Sequence, residues 1–359
     1  MFKGDYYGRT MASFKAASCL MSFQTSPSLT SVDALDRVKT RLKEFLDLEL
    51  LTSIPINSEV NMVIMSTPAS SLNTTLTANI KVYGKESLVT INLEGAAPLN
   101  TSGVEGSYNF VAGSDLKAIN NNSMDRLRKC LKKDLETQVE KIPVIKRASQ
   151  VPLYFESSDD RFFEYDFDQV VFDKESEYQR VCIYHSPTLG NALFLDDLQN
   201  LAESDLNYTQ GLMNYGKNDF TDKDILILGG GDGGLLHELV KENPRFVTMV
   251  DIDQVVIDAC RVHLRGACGS TLDTLRTDRY HVIVGDCIKF MEEAIASGRQ
   301  FDYVFNDLTD IPLSPEESEV GRDLWGFVRN ILNLALKCTK KDGKYLNHVS
   351  YSSILLYFT

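Results

Sequence analysis

A chain of 359 residues with 43% hydrophobic and 24% charged side chains has a globular composition and room for two or three domains. Fifty acidic against thirty-seven basic residues leave a net charge of −13, which argues against nucleic acid or anionic membranes and favours cationic partners. No apolar stretch reaches the length of a membrane span, and Lys15 interrupts the apolar run of Met1 to Met21, so neither membrane anchorage nor secretion is expected.

Seven cysteines, an odd number without a Cys-x-x-Cys pair, point to free thiols in a reducing, cytoplasmic setting. The five histidines are scattered, so no metal site is expected.

Residues 1 to about 30 are polar around a short apolar patch, with Met11 as a second possible start. From Ser31 to Leu51 the pattern is helical, with Val32, Leu35, Val38, Leu42, Phe45 and Leu46 on one face and Ser31 as cap. Strands are predicted over 61–65, 75–83 and 87–93, the last two as a hairpin across Gly84-Lys85-Glu86. A Gly/Ser/Asn-rich loop over 96–122 leads into a second helix from Ser123 to about Lys141. These elements make an α+β domain, residues 1–147, without a catalytic cluster, and dimerisation is the role expected of it.

Pro143 and Pro152 bracket a basic linker. Short alternating segments at 162–167, 170–172, 179–184 and 192–195, then a helix to about Tyr215, form a small antiparallel β domain over 148–216. From 217 onward strands and helices alternate as in an open parallel sheet, with strands at 225–228, 246–250, 280–284, 301–305 and 344–346.

The first of these strands, Ile225-Leu226-Ile227-Leu228, runs straight into Gly229-Gly230-Gly231-Asp232-Gly233-Gly234, and a helical pattern follows. Gly229, Gly231 and Gly234 fit the G-x-G-x-x-G turn that brings a nucleotide against bare backbone. Asp251, at the end of the second strand and 22 positions beyond Gly229, stands where a carboxylate accepts ribose hydroxyls. Asp232 inside the turn would repel a phosphate, so a cationic nucleoside such as a sulfonium fits better. Asp286, beside Cys287, follows the third strand and Asp307 the fourth. Four strand-end carboxylates without a lysine or arginine in those turns make a site for a polyvalent cation.

With LILGGGDGG, MVDID, GDC and FNDLTDIP in place, residues 150–345 resemble the aminopropyltransferases. The segment Asn200-Leu201-Ala202-Glu203-Ser204-Asp205-Leu206-Asn207-Tyr208-Thr209 is close to the version in the spermine synthases of that family, and the N-terminal unit is similar to their dimerisation domain. The resemblance implies a Rossmann-like, methyltransferase-type parallel sheet. It also implies transfer of an aminopropyl group from decarboxylated S-adenosylmethionine to spermidine, giving spermine and methylthioadenosine. The sulfonium is a co-substrate, and no bound cofactor is expected. By the same resemblance Gln179 and Tyr208 contact donor and polyamine, Asp232 a substrate amine, and Asp251 the ribose, where the family typically has Glu. Asp286 receives the adenine amino group beside Cys287, Ile311 and Pro312 pack on the ring, and Asp307 is the catalytic base.

The agreement stops after Tyr345. Where the family continues with a helix and further antiparallel strands bearing polyamine contacts, this sequence has the fourteen residues Leu346–Thr359. The expectation is therefore a chain that binds methylthioadenosine but makes spermine poorly. Two alternatives stay open: an impaired dimerising or nucleoside-binding relative, and an S-adenosylmethionine methyltransferase.

Overall fold

The computed structural model describes residues 14–25, 29–56, 60–68, 75–83, 87–98, 119–147, 151–156, 161–308 and 319–347. Met11, the hairpin turn 84–86, most of the 96–122 loop, Ile311, Pro312 and the tail beyond Asn347 lie outside them. The chain divides into two compact units, 1–150 and 151–359.

The first unit opens with β1 (Phe14–Gln24), α1 (Ser31–Leu46), β2 (Glu49–Pro55), β3 (Val60–Ser66), β4 (Thr75–Tyr83) and β5 (Leu88–Pro98). It closes with α2 (Asn121–Leu135), β6 (Glu140–Lys141) and β7 (Ile145–Arg147). All seven described strands form one antiparallel sheet in the order β2-β3-β4-β5-β1-β6, with β7 also on β1. Ala17, Cys19, Met21 and Phe23 alternate into its core, together with Val63, Met65, Ala78, Ile80, Val89, Ile91 and Leu93.

Both helices complete that core. The hydroxyl of Thr30, rather than Ser31, caps α1 by accepting the Asp33 N–H at 3.1 Å. Ala34, Val38, Leu42 and Leu46 then bury one stripe. In α2 the Asn120 carboxamide accepts the Ser123 N–H at 2.9 Å, and Met124, Leu127, Leu131 and Leu135 face inward.

Four expectations change here. The N-terminal stretch, for which no element was expected, supplies β1 inside the sheet. The first helix stops at Leu46, because Asp47 turns left-handed at φ 57° and the chain leaves as β2. Helix α2 likewise ends at Leu135, with Glu136 at φ 51°. The expected basic linker is partly strand, since Ile145–Arg147 pairs with Ala16–Ser18.

The second unit begins with the short pair β8 (Tyr154–Glu156) and β9 (Phe162–Glu164). A four-stranded antiparallel sheet follows, β10 (Gln169–Glu175), β11 (Arg180–Ser186), β12 (Gly190–Leu195) and β13 (Leu198–Ala202), and then α3 (Leu206–Met213). Strands and helices alternate from there: β14 (Asp224–Gly229), α4 (Gly234–Lys241), β15 (Phe246–Asp251), α5 (Gln254–His263), α6 (Arg265–Cys268) and β16 (Tyr280–Val284). The series ends with α7 (Cys287–Ala296), β17 (Phe301–Asp307), α8 (Glu319–Cys338) and β18 (Thr339–Asn347).

These last five strands are parallel, in the order β16-β15-β14-β17-β18. Chain order reverses across β14, which places a ligand crevice beyond the carboxyl ends of β14, β15 and β17. One face of the sheet shares a core with the antiparallel strands, through Val181, Ile183, Leu193 and Leu201 against Ile225, Ile227, Leu235 and Met249. The other face buries Leu226, Leu228 and Val250 against Met291 of α7 and Ile331 and Ala335 of α8. The fold class is the expected one, a Rossmann-like parallel sheet preceded by antiparallel β structure and an α+β unit. No helix among the described residues is long and apolar enough to cross a membrane, and all seven cysteines are free.

Candidate active site

At the end of β14 the backbone enters the left-handed region at Gly229 (φ 80°) and Gly230 (φ 77°), and does so again at Gly233 (φ 76°) before α4. The turn is tied on two sides. Gly230 N–H donates to the Asp307 carbonyl at 3.0 Å, and Gly231 N–H donates to Asp251 Oδ2 at 2.8 Å. Side chains are excluded by contact as well as by φ. A Cβ on Gly229 would collide with the Asp307 carbonyl oxygen, one on Gly231 would stand 2.7 Å from Asp251 Oδ2, and one on Gly230 would be tight at 3.2 Å from Asp307 Oδ2. The glycine turn thus runs between the carboxylates of Asp251 and Asp307.

Asp232 bends back over the same turn. It is buried, and its Oδ1 accepts the Gly234 N–H at 2.7 Å. Burial pushes its carboxyl pKa up to about 6, and the charge of Asp251 adds to that; the Gly234 N–H opposes it. Burial also raises Asp251, against the N–H groups of Asp253 (2.8 Å to Oδ1) and Gly231. Among the described residues no lysine, arginine or histidine pairs with Asp232, Asp251 or Asp286. No three His, Cys, Asp or Glu side chains there are grouped to hold a metal ion.

Asp286 caps α7 by accepting the Ile288 N–H at 2.8 Å. Burial, with the Asp286 charge, drives the neighbouring Cys287 thiol up to about 12, so it lines the site as a neutral, largely apolar group. From the antiparallel side come Gln179, just ahead of β11, and Tyr208, in the first turn of α3 with its ring half exposed.

A cavity of about 350 Å³ opens at this place, and Gln179, Tyr208, Asp232, Asp251, Asp286, Cys287 and Asp307 all line it. Apolar side chains make its rim, notably Leu198, Ile252 and Phe327, each more than two-fifths exposed. The arrangement is an acidic floor beneath an apolar mouth, suited to a ligand carrying both a flat ring and positive charge.

A family model described as the spermine/spermidine synthase domain matches residues 205–354. A second, described as the spermidine synthase tetramerisation domain, matches residues 153–203. Residues 153–203 and 205–354 are thus similar to the spermine/spermidine synthase family. Curated relatives include the polyamine aminopropyltransferase of Pyrobaculum neutrophilum, 32% identical over 191 residues (51% of this chain, 63% of that protein). That of Pectobacterium carotovorum is 28% identical over 194 residues (52% and 63%), and that of Yersinia pestis is 30% identical over 178 residues (47% and 56%). The chain therefore spans less than two thirds of the length of each. Among solved structures, a spermidine synthase from Thermotoga maritima aligns at TM-score 0.43 and 20% identity, covering 55% of this chain and 63% of that one.

One part of the site was not anticipated from the sequence. Asp253, two residues beyond Asp251 and almost wholly buried, caps α5 through the Val255 N–H at 2.9 Å. Its other oxygen, Oδ2, receives Ser176 Oγ at 2.7 Å and Gln179 Nε2 at 3.1 Å. A capping aspartate before an amphipathic helix was legible in Asp253-Gln254-Val255-Val256; its link to Gln179 was not.

Proposed function

We propose that this chain transfers an aminopropyl group from decarboxylated S-adenosylmethionine to spermidine, yielding spermine and methylthioadenosine. The observation that carries the reading is the cavity itself, where a buried carboxylate in the glycine turn and three more at strand ends share one wall with Gln179 and Tyr208. Asp251 and Asp286 suit the ribose and the adenine amino group. Asp232 suits the primary amine that remains once the donor has lost its carboxylate, and an intact carboxylate there would meet a buried anion. That feature speaks against methyl transfer from S-adenosylmethionine.

In the reaction, the acceptor amine gives a proton to Asp307 and its lone pair attacks the propyl carbon bound to sulfur. The carbon–sulfur bond breaks, its electron pair stays on sulfur, and neutral methylthioadenosine leaves. The sulfonium needs no further activation, so the residues' work is alignment and deprotonation. The position of Asp307, over Gly230 and tied through its own carbonyl to the turn, supports its assignment as the base.

The similarity of the Asn200–Thr209 segment to the spermine synthase version supports spermidine as the acceptor. Purified protein given decarboxylated S-adenosylmethionine with spermidine or putrescine should form spermine slowly from the first and spermidine more slowly still from the second, as resolved by chromatography. Faster turnover of putrescine would overturn the choice of acceptor, and no polyamine product from either would overturn the activity.

The N-terminal unit has its own core and, among its described residues, no comparable cluster of carboxylates, which supports dimerisation as its role. Residues 1–147 expressed alone should sediment as a dimer at micromolar concentration. A monomer there would remove that role.

A further inference from the structure

We infer that Asp253 is a positioning residue of the donor site, acting through Gln179; this rests on the proposed binding of an adenosine thioether in the cavity. Gln179 lies in the short turn between β10 and β11, and its side chain has rotational freedom that ligand binding would otherwise have to remove. Asp253 removes it in advance. Its Oδ1 is committed to the α5 cap, while its Oδ2 takes two donors, Ser176 Oγ at 2.7 Å and Gln179 Nε2 at 3.1 Å.

The contact also fixes the sense of the amide. A carboxylate accepts and cannot donate, so Gln179 must turn its nitrogen toward Asp253, leaving its carbonyl oxygen and second N–H for a ligand. Ser176 holds the same turn from its other end: its hydroxyl oxygen accepts the Tyr178 and Gln179 N–H groups at 3.1 and 3.0 Å. Asp251, Ile252 and Asp253 therefore divide the work. Asp251 braces the glycine turn through Gly231, Ile252 forms part of the rim, and Asp253 braces the wall that carries Gln179.

The test is a double-mutant cycle in the full chain, read as the affinity for methylthioadenosine by calorimetry and as the thermal unfolding midpoint. Asp253→Ser keeps a hydroxyl able to cap α5 but ends short of Gln179. Asp253→Asn keeps the shape but offers an acceptor to only one of the two sides. Each should weaken binding by roughly tenfold, as Gln179→Ala should, in keeping with the loss of one charge-assisted hydrogen bond. Adding Asp253→Ser to Gln179→Ala should cost no further affinity, because the group it positions is gone. A purely structural Asp253 would lower the unfolding midpoint equally in both backgrounds and leave affinity unmoved. Unchanged affinity in both Asp253 variants, or fully additive losses, would overturn the inference alone. A parent chain that binds no methylthioadenosine would overturn the reading of the cavity and the inference with it.

Discussion

Asp307→Asn should lower the rate of aminopropyl transfer by roughly 10²–10⁴-fold, the range for loss of a general base. The change is isosteric, and what anchors the end of β17 to the glycine turn is the backbone carbonyl of residue 307, which accepts the Gly230 N–H and survives the substitution. Methylthioadenosine affinity should accordingly stay within about twofold of the parent, since Gln179, Asp251 and Asp286 are untouched. Single-turnover rates beside calorimetric affinities separate chemistry from binding. A variant that loses both would show Asp307 to be a structural strut, and one that keeps its rate would show the base to lie elsewhere.

Asp232→Asn should move stability and binding in opposite directions. Ionised Asp232 is a buried anion with no cationic partner among the described residues, and its carboxyl is raised from 3.8 to about 6. The folded chain therefore holds a proton that the unfolded chain releases between about pH 4 and 6. Across that window stability falls as pH rises, and above it the penalty is fully present. Asparagine keeps an oxygen for the Gly234 N–H and carries no charge. The ligand-free variant should be more stable at pH 7.5 by roughly 1–3 kcal/mol, with the gap closing toward pH 4. Its affinity for decarboxylated S-adenosylmethionine should fall by roughly tenfold or more, because the amine loses its counter-charge, whereas methylthioadenosine, without that amine, should bind nearly as before. Equal losses for the two ligands would place the amine away from Asp232. Destabilisation at neutral pH would show that the buried charge is compensated.

What the sequence made legible was local. Asp232, Asp251, Asp286 and Asp307 each sit within a few residues of a strand end, so the parallel topology alone brings them to one crevice. The sequence separation of the Asp253–Gln179 contact is 74 residues, and neither residue type announces it. Of the strands missed in the N-terminal unit, the two longest, β1 and β2, failed for different reasons. In β1 the inward set Ala17, Cys19, Met21 and Phe23 does alternate, but small and polar neighbours disguise it as an irregular polar stretch. In β2 the apolar residues Leu50, Leu51 and Ile54 are exposed, so no inward period marks a strand, and the first two read as a continuation of the helix.

The placement of β1 has a consequence for biosynthesis. Its partners are β5 on one side and β6 and β7 on the other, so the strand made first is hydrogen-bonded to residues 88–98, 140–141 and 145–147. A nascent chain can zip β2 to β5 as successive neighbours soon after each emerges, but the sheet closes only when residue 147 has left the ribosome. Until then β1 offers an unpaired edge, and Lys141, Lys146 and Arg147 arrive with the last strands to cover it.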